Sequence, residues 1–437
     1  MAQNISWKDI NRLAIPAIFA GIAEPVISIA DTAIVGQLGT IELGAVGIGA
    51  SFFSLVMWIL AQTKSAISSI VSKAFGSKTL LNLQDFIPQA LILNFLLGAI
   101  VFVVSVGFAD AIFSGYNAEG QQKELCISYY QIRGWGLPIS LVVFGIFGVF
   151  RGIQNTIWAM IISISAMVIN IILDVLLVYG WEGLIPAMGI EGAALASVIS
   201  QGYMLLAALW FLMVRANLKL KFSLQLNPQI LKLLKMSFDL FLRAGALNLV
   251  MYLGTSLATK YGEAEIAAYT IGLNIWLFSA FFIDGFSSAG NAIAGRLAGE
   301  QNVEELKNVS FRITKTNLVI ATGLALVYLI GYNFWPLFFT DDYLVVEVFK
   351  ASFWVIILTQ PISAIAFSLD GIFKGLGKTE LLRNVLIGSS LLVFLPFVLV
   401  MDSFVGNLVG IWFAFSVWMI GRALPLYINL IRLKHVS

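Results

Sequence analysis

The chain has 437 residues, of which 59% are apolar and only 11% charged. Soluble domains carry roughly 45–50% apolar and about 25% charged residues, which excludes a water-facing globule and predicts a polytopic membrane protein. A formal net charge of +2 excludes a strongly basic nucleic-acid binder, and one cysteine (Cys126) and one histidine (His435) provide neither an internal disulfide nor a zinc site.

The chain opens on MAQNISWKDINRLAIP, polar and carrying Asp9, with no small-residue cleavage pattern after it. No removable signal peptide is expected. Apolar segments long enough to cross a bilayer as helices follow at about 11–36, 44–73, 86–109, 125–150, 157–179 and 189–214. The basic stretch RANLKLKFSLQLNPQILKLLK (215–235) leads into six more, at about 233–260, 265–298, 308–331, 350–375, 381–401 and 406–432. Segments two and eight exceed the span of a bilayer and predict tilt or overhang. With the N-terminus inside, nineteen of the 26 Lys and Arg fall on the inner side and four, Arg133 among them, on the outer. Both termini are therefore expected in the cytoplasm.

Ionisable groups within these spans cost about 2.5–3.5 kcal/mol each on insertion scales, so each is a functional candidate. Span one holds Glu24 and Asp31, seven residues apart on one helical face, together with Pro16 and Pro25, which are expected to act as hinges. Span two holds Lys64, expected as a counter-ion for Glu24 or as an anion-binding residue. Span five holds Asp174, with Asn170 one turn earlier on the same face. Asp31 and Asp174 each lie five residues before the outer end of their spans, and this shared depth predicts a common polar pocket. In the second half, Asp239 and Arg243 in span seven, and Asp370 and Lys374 in span ten, are spaced as local i,i+4 pairs. Asp284 in span eight has no obvious local partner and is a further candidate.

The sequence matches itself at an offset of 223. GTIELGAVGIG (39–49) pairs with GEAEIAAYTIG (262–272), Lys73–Gly76 with Arg296–Gly299, and GVFRGIQNT (148–156) with GIFKGLGKT (371–379). The repeat predicts two domains, 1–222 and 223–437, of six spans each and alike in orientation. That is transporter architecture. The glycine pairs Gly148/Gly152 and Gly371/Gly375 fit small-xxx-small helix packing and need no chemical role. GLGKT lacks the first glycine of a phosphate loop, and the only histidine sits in the tail, so no nucleotide site or Ser-His-Asp enzyme is expected. Transport would then draw on an ion gradient.

The motifs LAIPAIFAGIAEPVISIADTAIVGQLG, GVFRGIQNT, NIILDVLLVYG and GIEGAALASVISQ, in this order and spacing, resemble the multidrug and toxic compound extrusion (MATE) transporters, in particular their DinF-like branch. The resemblance implies twelve helices in two six-helix bundles around a central cleft. It also implies export of small organic compounds in exchange for protons or sodium, without a further cofactor, by a monomer in the bacterial inner membrane. It places the coupling acids in the first bundle at Asp31 and Asp174, with Asn170. Ser197 falls where members often carry threonine, and Glu24 and Lys64 are expected to line the substrate cleft. The span-seven stretch AGALNLVMYLGTSLA lacks the acid of the other large branch. A lipid-linked oligosaccharide flippase of the same superfamily is an alternative, but it would need several cleft arginines and lysines. A non-transporting scaffold or receptor would need no acids at matched depth.

Overall fold

The computed structural model describes residues 5–182 and 184–435, and their regular structure is helical apart from one isolated bridge between Trp181 and Ile185. Helices in the first half are α1 (Trp7–Val35), α2 (Thr40–Leu60), α3 (Thr63–Gly76), α4 (Phe86–Gly107), α5 (Ala109–Gly115), α6 (Gly120–Arg133), α7 (Gly136–Gly152), α8 (Ile157–Tyr179) and α9 (Gly189–Trp210). The second half contains α10 (Pro228–Tyr261), α11 (Glu263–Gly299), α12 (Val303–Ile330), α13 (Tyr343–Gly375), α14 (Thr379–Ser389), α15 (Leu395–Phe404) and α16 (Leu408–Ile431). Eleven helical stretches among the described residues are long and apolar enough to cross a membrane. The pair α6–α7, bent by 43°, makes a twelfth, and the protein is an all-α, multi-span membrane protein. A helix satisfies its own backbone, which apolar runs of this length require where water is absent.

Local chemistry sets where these helices begin and end. Asn302, Asp342 and Asn407 cap α12, α13 and α16 by accepting backbone N–H groups from Glu305, Leu344 and Val409 at 3.1, 2.9 and 3.0 Å. Gly180 leaves α8 at φ 77°, in the left-handed region that favours glycine. Helix α1 runs unbroken through Pro16 and Pro25.

The repeat is visible in the element boundaries. Thr40–Gly76, which contains α2 and α3, and α11, Glu263–Gly299, begin and end at the 223-residue offset, as do the ends of α7 and α13. The repeated glycines pack helices. A Cβ on Gly148 would stand 2.6 Å from the carbonyl oxygen of Lys64, and one on Gly371 would stand 2.1 Å from that of Ser287. Lys64 and Ser287 are themselves repeat equivalents.

The described chain divides into two compact units, one of residues 19–235 and one of residues up to 18 together with 236 onward. The boundaries fall inside α1 and α10, elsewhere than the repeat halves 1–222 and 223–437. The second of these units packs around buried aromatic rings, including Phe349, Phe353, Trp412 and Trp418. It also corrects the expected i,i+4 pairs of the second half. Asp239 accepts from the Arg383 guanidinium and, at 2.9 Å, from the Thr379 hydroxyl. Arg243 instead reaches Asp370 on α13, and Asp370 is shared with Arg422 on α16. Lys374, one turn after Asp370, adds its field, but the two arginines hold the hydrogen bonds. Long guanidinium forks reach across packed helices, where a buried carboxylate is stabilised more than along one helix face.

Candidate functional site

The unit of residues 19–235 brings Asp31 and Asp174 together: α1 and α8 present the two carboxyls within hydrogen-bonding reach of each other. Tyr179, five residues beyond Asp174, ties the two helices next to this approach, its hydroxyl donating to the Ile34 carbonyl at 2.6 Å. Asp174 and Asn170 are completely buried on one face of α8. Both oxygens of Asp174, Oδ1 of Asp31, both polar atoms of Asn170 and the Ser197 hydroxyl are buried without a protein hydrogen-bond partner. Unsatisfied buried polar atoms are costly and concentrate at functional sites. Two carboxyls in this contact form a hydrogen bond only when one of them carries a proton.

Helix α6 supplies the rest of the polar wall. Tyr129 is buried, with its ring against Gly49, where a Cβ would come within 2.7 Å. One turn later the Arg133 guanidinium lies 3.7 Å over the Phe53 ring and donates to Gln201 Oε1 at 3.1 Å. From there it acts electrostatically on Glu24, Asp31, Asp174 and Tyr129. Gly136 makes this placement possible, because a Cβ there would stand 2.0 Å from Gln201 Oε1. On the far side of the acids, one turn beyond each, Val35 and Val178 join Val46, Ile190, Ala193 and Ala194 in an apolar cluster.

Glu24 lies on α1 with its surface exposed in this unit, and its leading electrostatic neighbour is Arg133, ahead of Lys64. The Lys64 ammonium stands over the rings of Phe144 and Phe147 at 5.6 and 5.7 Å. Ser197 is buried on α9, which is held against α8 where Gly192 meets the Leu177 carbonyl. Two expected residues belong to the other unit: Asp284 is exposed on α11, and Pro16 is buried near the start of α1. Pro25 is half-buried in the unit of the acids. Arg133, Tyr129 and Gln201 escaped the sequence reading. The count of basic residues places Arg133 on the outer flank of its span, and the glycines at 134 and 136, where the helix breaks and bends by 43°, are the signal the sequence offers. Among the described residues no cluster of three or more His, Cys, Asp or Glu could hold a metal ion.

The MatE family model matches residues 16–176 and 243–400. The chain belongs to this family. It is a MATE-family membrane transporter and not an enzyme. It is 26% identical to Protein DETOXIFICATION 42 of Arabidopsis thaliana over 477 aligned positions, covering 95% of this chain and 90% of that protein. To DNA damage-inducible protein F of Escherichia coli K12 it is 28% identical over 391 positions, covering 87% and 83%. Among solved structures, the outward-facing conformation of a multidrug resistance MATE family transporter superposes with a TM-score of 0.90 at 22% identity, over 98% of this chain and 96% of that one. A MOP superfamily transporter from Pyrococcus furiosus gives 0.87 at 22% identity, over 97% and 94%. At that identity the two structures establish the MATE fold alone.

Proposed function

We propose that this protein is a secondary antiporter that exports small organic compounds in exchange for a proton or a sodium ion, with coupling through Asp31 and Asp174. The observation that carries the reading is the contact of these two carboxyls beside Asn170 and Ser197, buried and without other protein partners. Uptake of a cation satisfies the pair and removes a buried charge. Its release leaves like charges facing each other, and that difference in free energy is what can drive a two-state helix rearrangement. Glu24 and Lys64 then contact the organic substrate, and the prolines of α1 leave carbonyls without intrahelical partners, lowering its resistance to bending. The names of the relatives, among them a probable multidrug resistance protein of Pasteurella multocida, favour export of drug-like compounds. The termini are placed in the cytoplasm by the basic residues, in a bacterial plasma membrane, with the two repeat halves as the moving bodies and the monomer as the working unit.

In proteoliposomes, Asp31→Asn and Asp174→Asn are each expected to abolish gradient-driven export of ethidium while leaving insertion and yield unchanged. Wild-type export rates in both variants would remove the acids from the mechanism.

A further inference from the structure

The connector between α9 and α10 lies wholly within the unit of residues 19–235, and it is built inside out. Its polar groups are the ones held against the unit. The Gln89 amide on α4 donates to the carbonyls of Ser223 and Gln225 at 3.0 and 2.8 Å, and its Oε1 accepts from the Asn227 N–H at 2.9 Å. The buried Asn227 side chain donates to the Asn82 carbonyl and to Asp85 at 3.1 and 2.8 Å. The Lys221 N–H donates to the Gln84 carbonyl at 2.9 Å. The apolar side chains are left outside. Phe222, Leu224 and Leu226, at every second position, are 81%, 105% and 76% exposed.

Apolar side chains displayed on a segment that polar bonds hold in place mark an interaction surface, and position and charge say what meets it. The connector runs directly from α9 into α10, both long and apolar enough to cross the membrane, so it lies at the membrane–water boundary. At the exit of α9 the Arg215 guanidinium stands 5.7 Å over the Trp210 ring, an aromatic and basic pairing suited to headgroup depth. Residues 211–235 include Arg215, Lys219, Lys221, Lys232 and Lys235 and no acidic residue, and Lys219 and Lys221 are exposed beside the apolar triplet. Asp85, the acid bonded to the connector, already accepts from Asn227. A second copy meeting this face with its own would set lysine against lysine. We propose that residues 217–227 form an interfacial strap that binds an anionic lipid surface, with lipid phosphates on Lys219 and Lys221 and with Phe222, Leu224 and Leu226 set into the headgroup–acyl boundary. Because the hydrogen bonds of Gln89 and Asn227 already fix the strap, docking requires little further ordering of its backbone.

The test places a nitroxide spin label on the strap of the full-length protein. Cys126 is the only cysteine and is buried, so Leu224→Cys supplies the one accessible thiol. The labelled protein is put, one copy per disc, into nanodiscs of phosphatidylcholine with or without phosphatidylglycerol. Collisions of the label with the neutral, water-soluble relaxant nickel EDDA are then read by power-saturation EPR. Each lysine beside an anionic surface corresponds to about a fivefold change in binding, and the pair to roughly twentyfold. Collisions at position 224 are therefore expected to be at least about fivefold rarer in the anionic discs. High salt, or Lys219→Gln combined with Lys221→Gln, should remove that difference. Equal and high accessibility in both discs overturns the proposal, since it leaves the strap in water and open to a soluble partner. Equal protection in both discs overturns it too, because apolar contact would then suffice without lipid charge. So does protection in anionic discs that survives the double lysine variant. The comparison of the two discs uses a single labelled protein, so it decides the matter even if the lysine variant fails to fold.

Discussion

Replacing Asp370 by asparagine removes the one carboxylate that Arg243 and Arg422 share. The three residues are 5% exposed or less, so water cannot take over the role of the lost charge. Two guanidiniums would be left facing each other in a low-dielectric interior, each already with a buried Nε that lacks a partner. Breaking a buried ion pair from one side costs about 3–5 kcal/mol, and repulsion between the two cations puts Asp370→Asn at the upper end. Asp239→Asn should cost less, about 1–3 kcal/mol, because the Arg383 side chain is 23% exposed and Thr379 keeps its hydroxyl bond to the new side chain. Asp110→Asn, whose own side chain is 75% exposed beside Lys123, should cost under about 1 kcal/mol. Unfolding of the purified protein in mixed micelles of dodecyl maltoside and SDS would rank the three. A triple variant, Arg243→Met, Asp370→Leu and Arg422→Met, should recover most of the loss, since no orphan charge remains. If Asp370→Asn came within about 1 kcal/mol of wild type, the cluster would not be the buried ion network described above.

Gly371→Ala should destabilise by about 1–3 kcal/mol, because its Cβ would lie 2.1 Å from the Ser287 carbonyl oxygen. Gly202→Ala, with open space around it, should be neutral or slightly stabilising in the same unfolding assay. Glu24 should couple to Arg133 more strongly than to Lys64 in double-mutant cycles built with Glu24→Gln, Arg133→Gln and Lys64→Gln and read by ethidium export. Equal coupling energies, or strict additivity in both cycles, would mean that Glu24 does not sense the guanidinium.

The span pattern was readable because a twenty-residue apolar run has only one way to satisfy its backbone in lipid. Asp31, Asp174 and Asn170 were also readable, since their depth and spacing follow from helix geometry once the span ends are known. Arg133 was not. Counting basic residues near span ends treats the α6–α7 segment as a straight rod, and the 43° bend after Arg133 lies outside that picture. The ion pairs of the second half misled the sequence reading for a related reason. An i,i+4 rule sees only neighbours on one helix, whereas Asp370 draws its partners from α10 and α16. Asp284 is exposed on α11, and no spacing argument reports which way a single residue faces.

The apolar cluster one turn beyond Asp31 and Asp174 also bears on energy conservation. Val35, Val178, Ile190 and Ala194 carry no polar side-chain atom, and Tyr129 supplies the single hydroxyl of the cluster, short of the two to four polar partners a water molecule needs, so the side chains of this cluster do not support a hydrogen-bonded file of water from the carboxyls. A proton hopping along such a file would dissipate the gradient without moving cargo. If a proton is the ion coupled at Asp31 and Asp174, these aliphatic side chains would act as an electrical insulator, and a polar substitution such as Val178→Asn would be a short circuit across it.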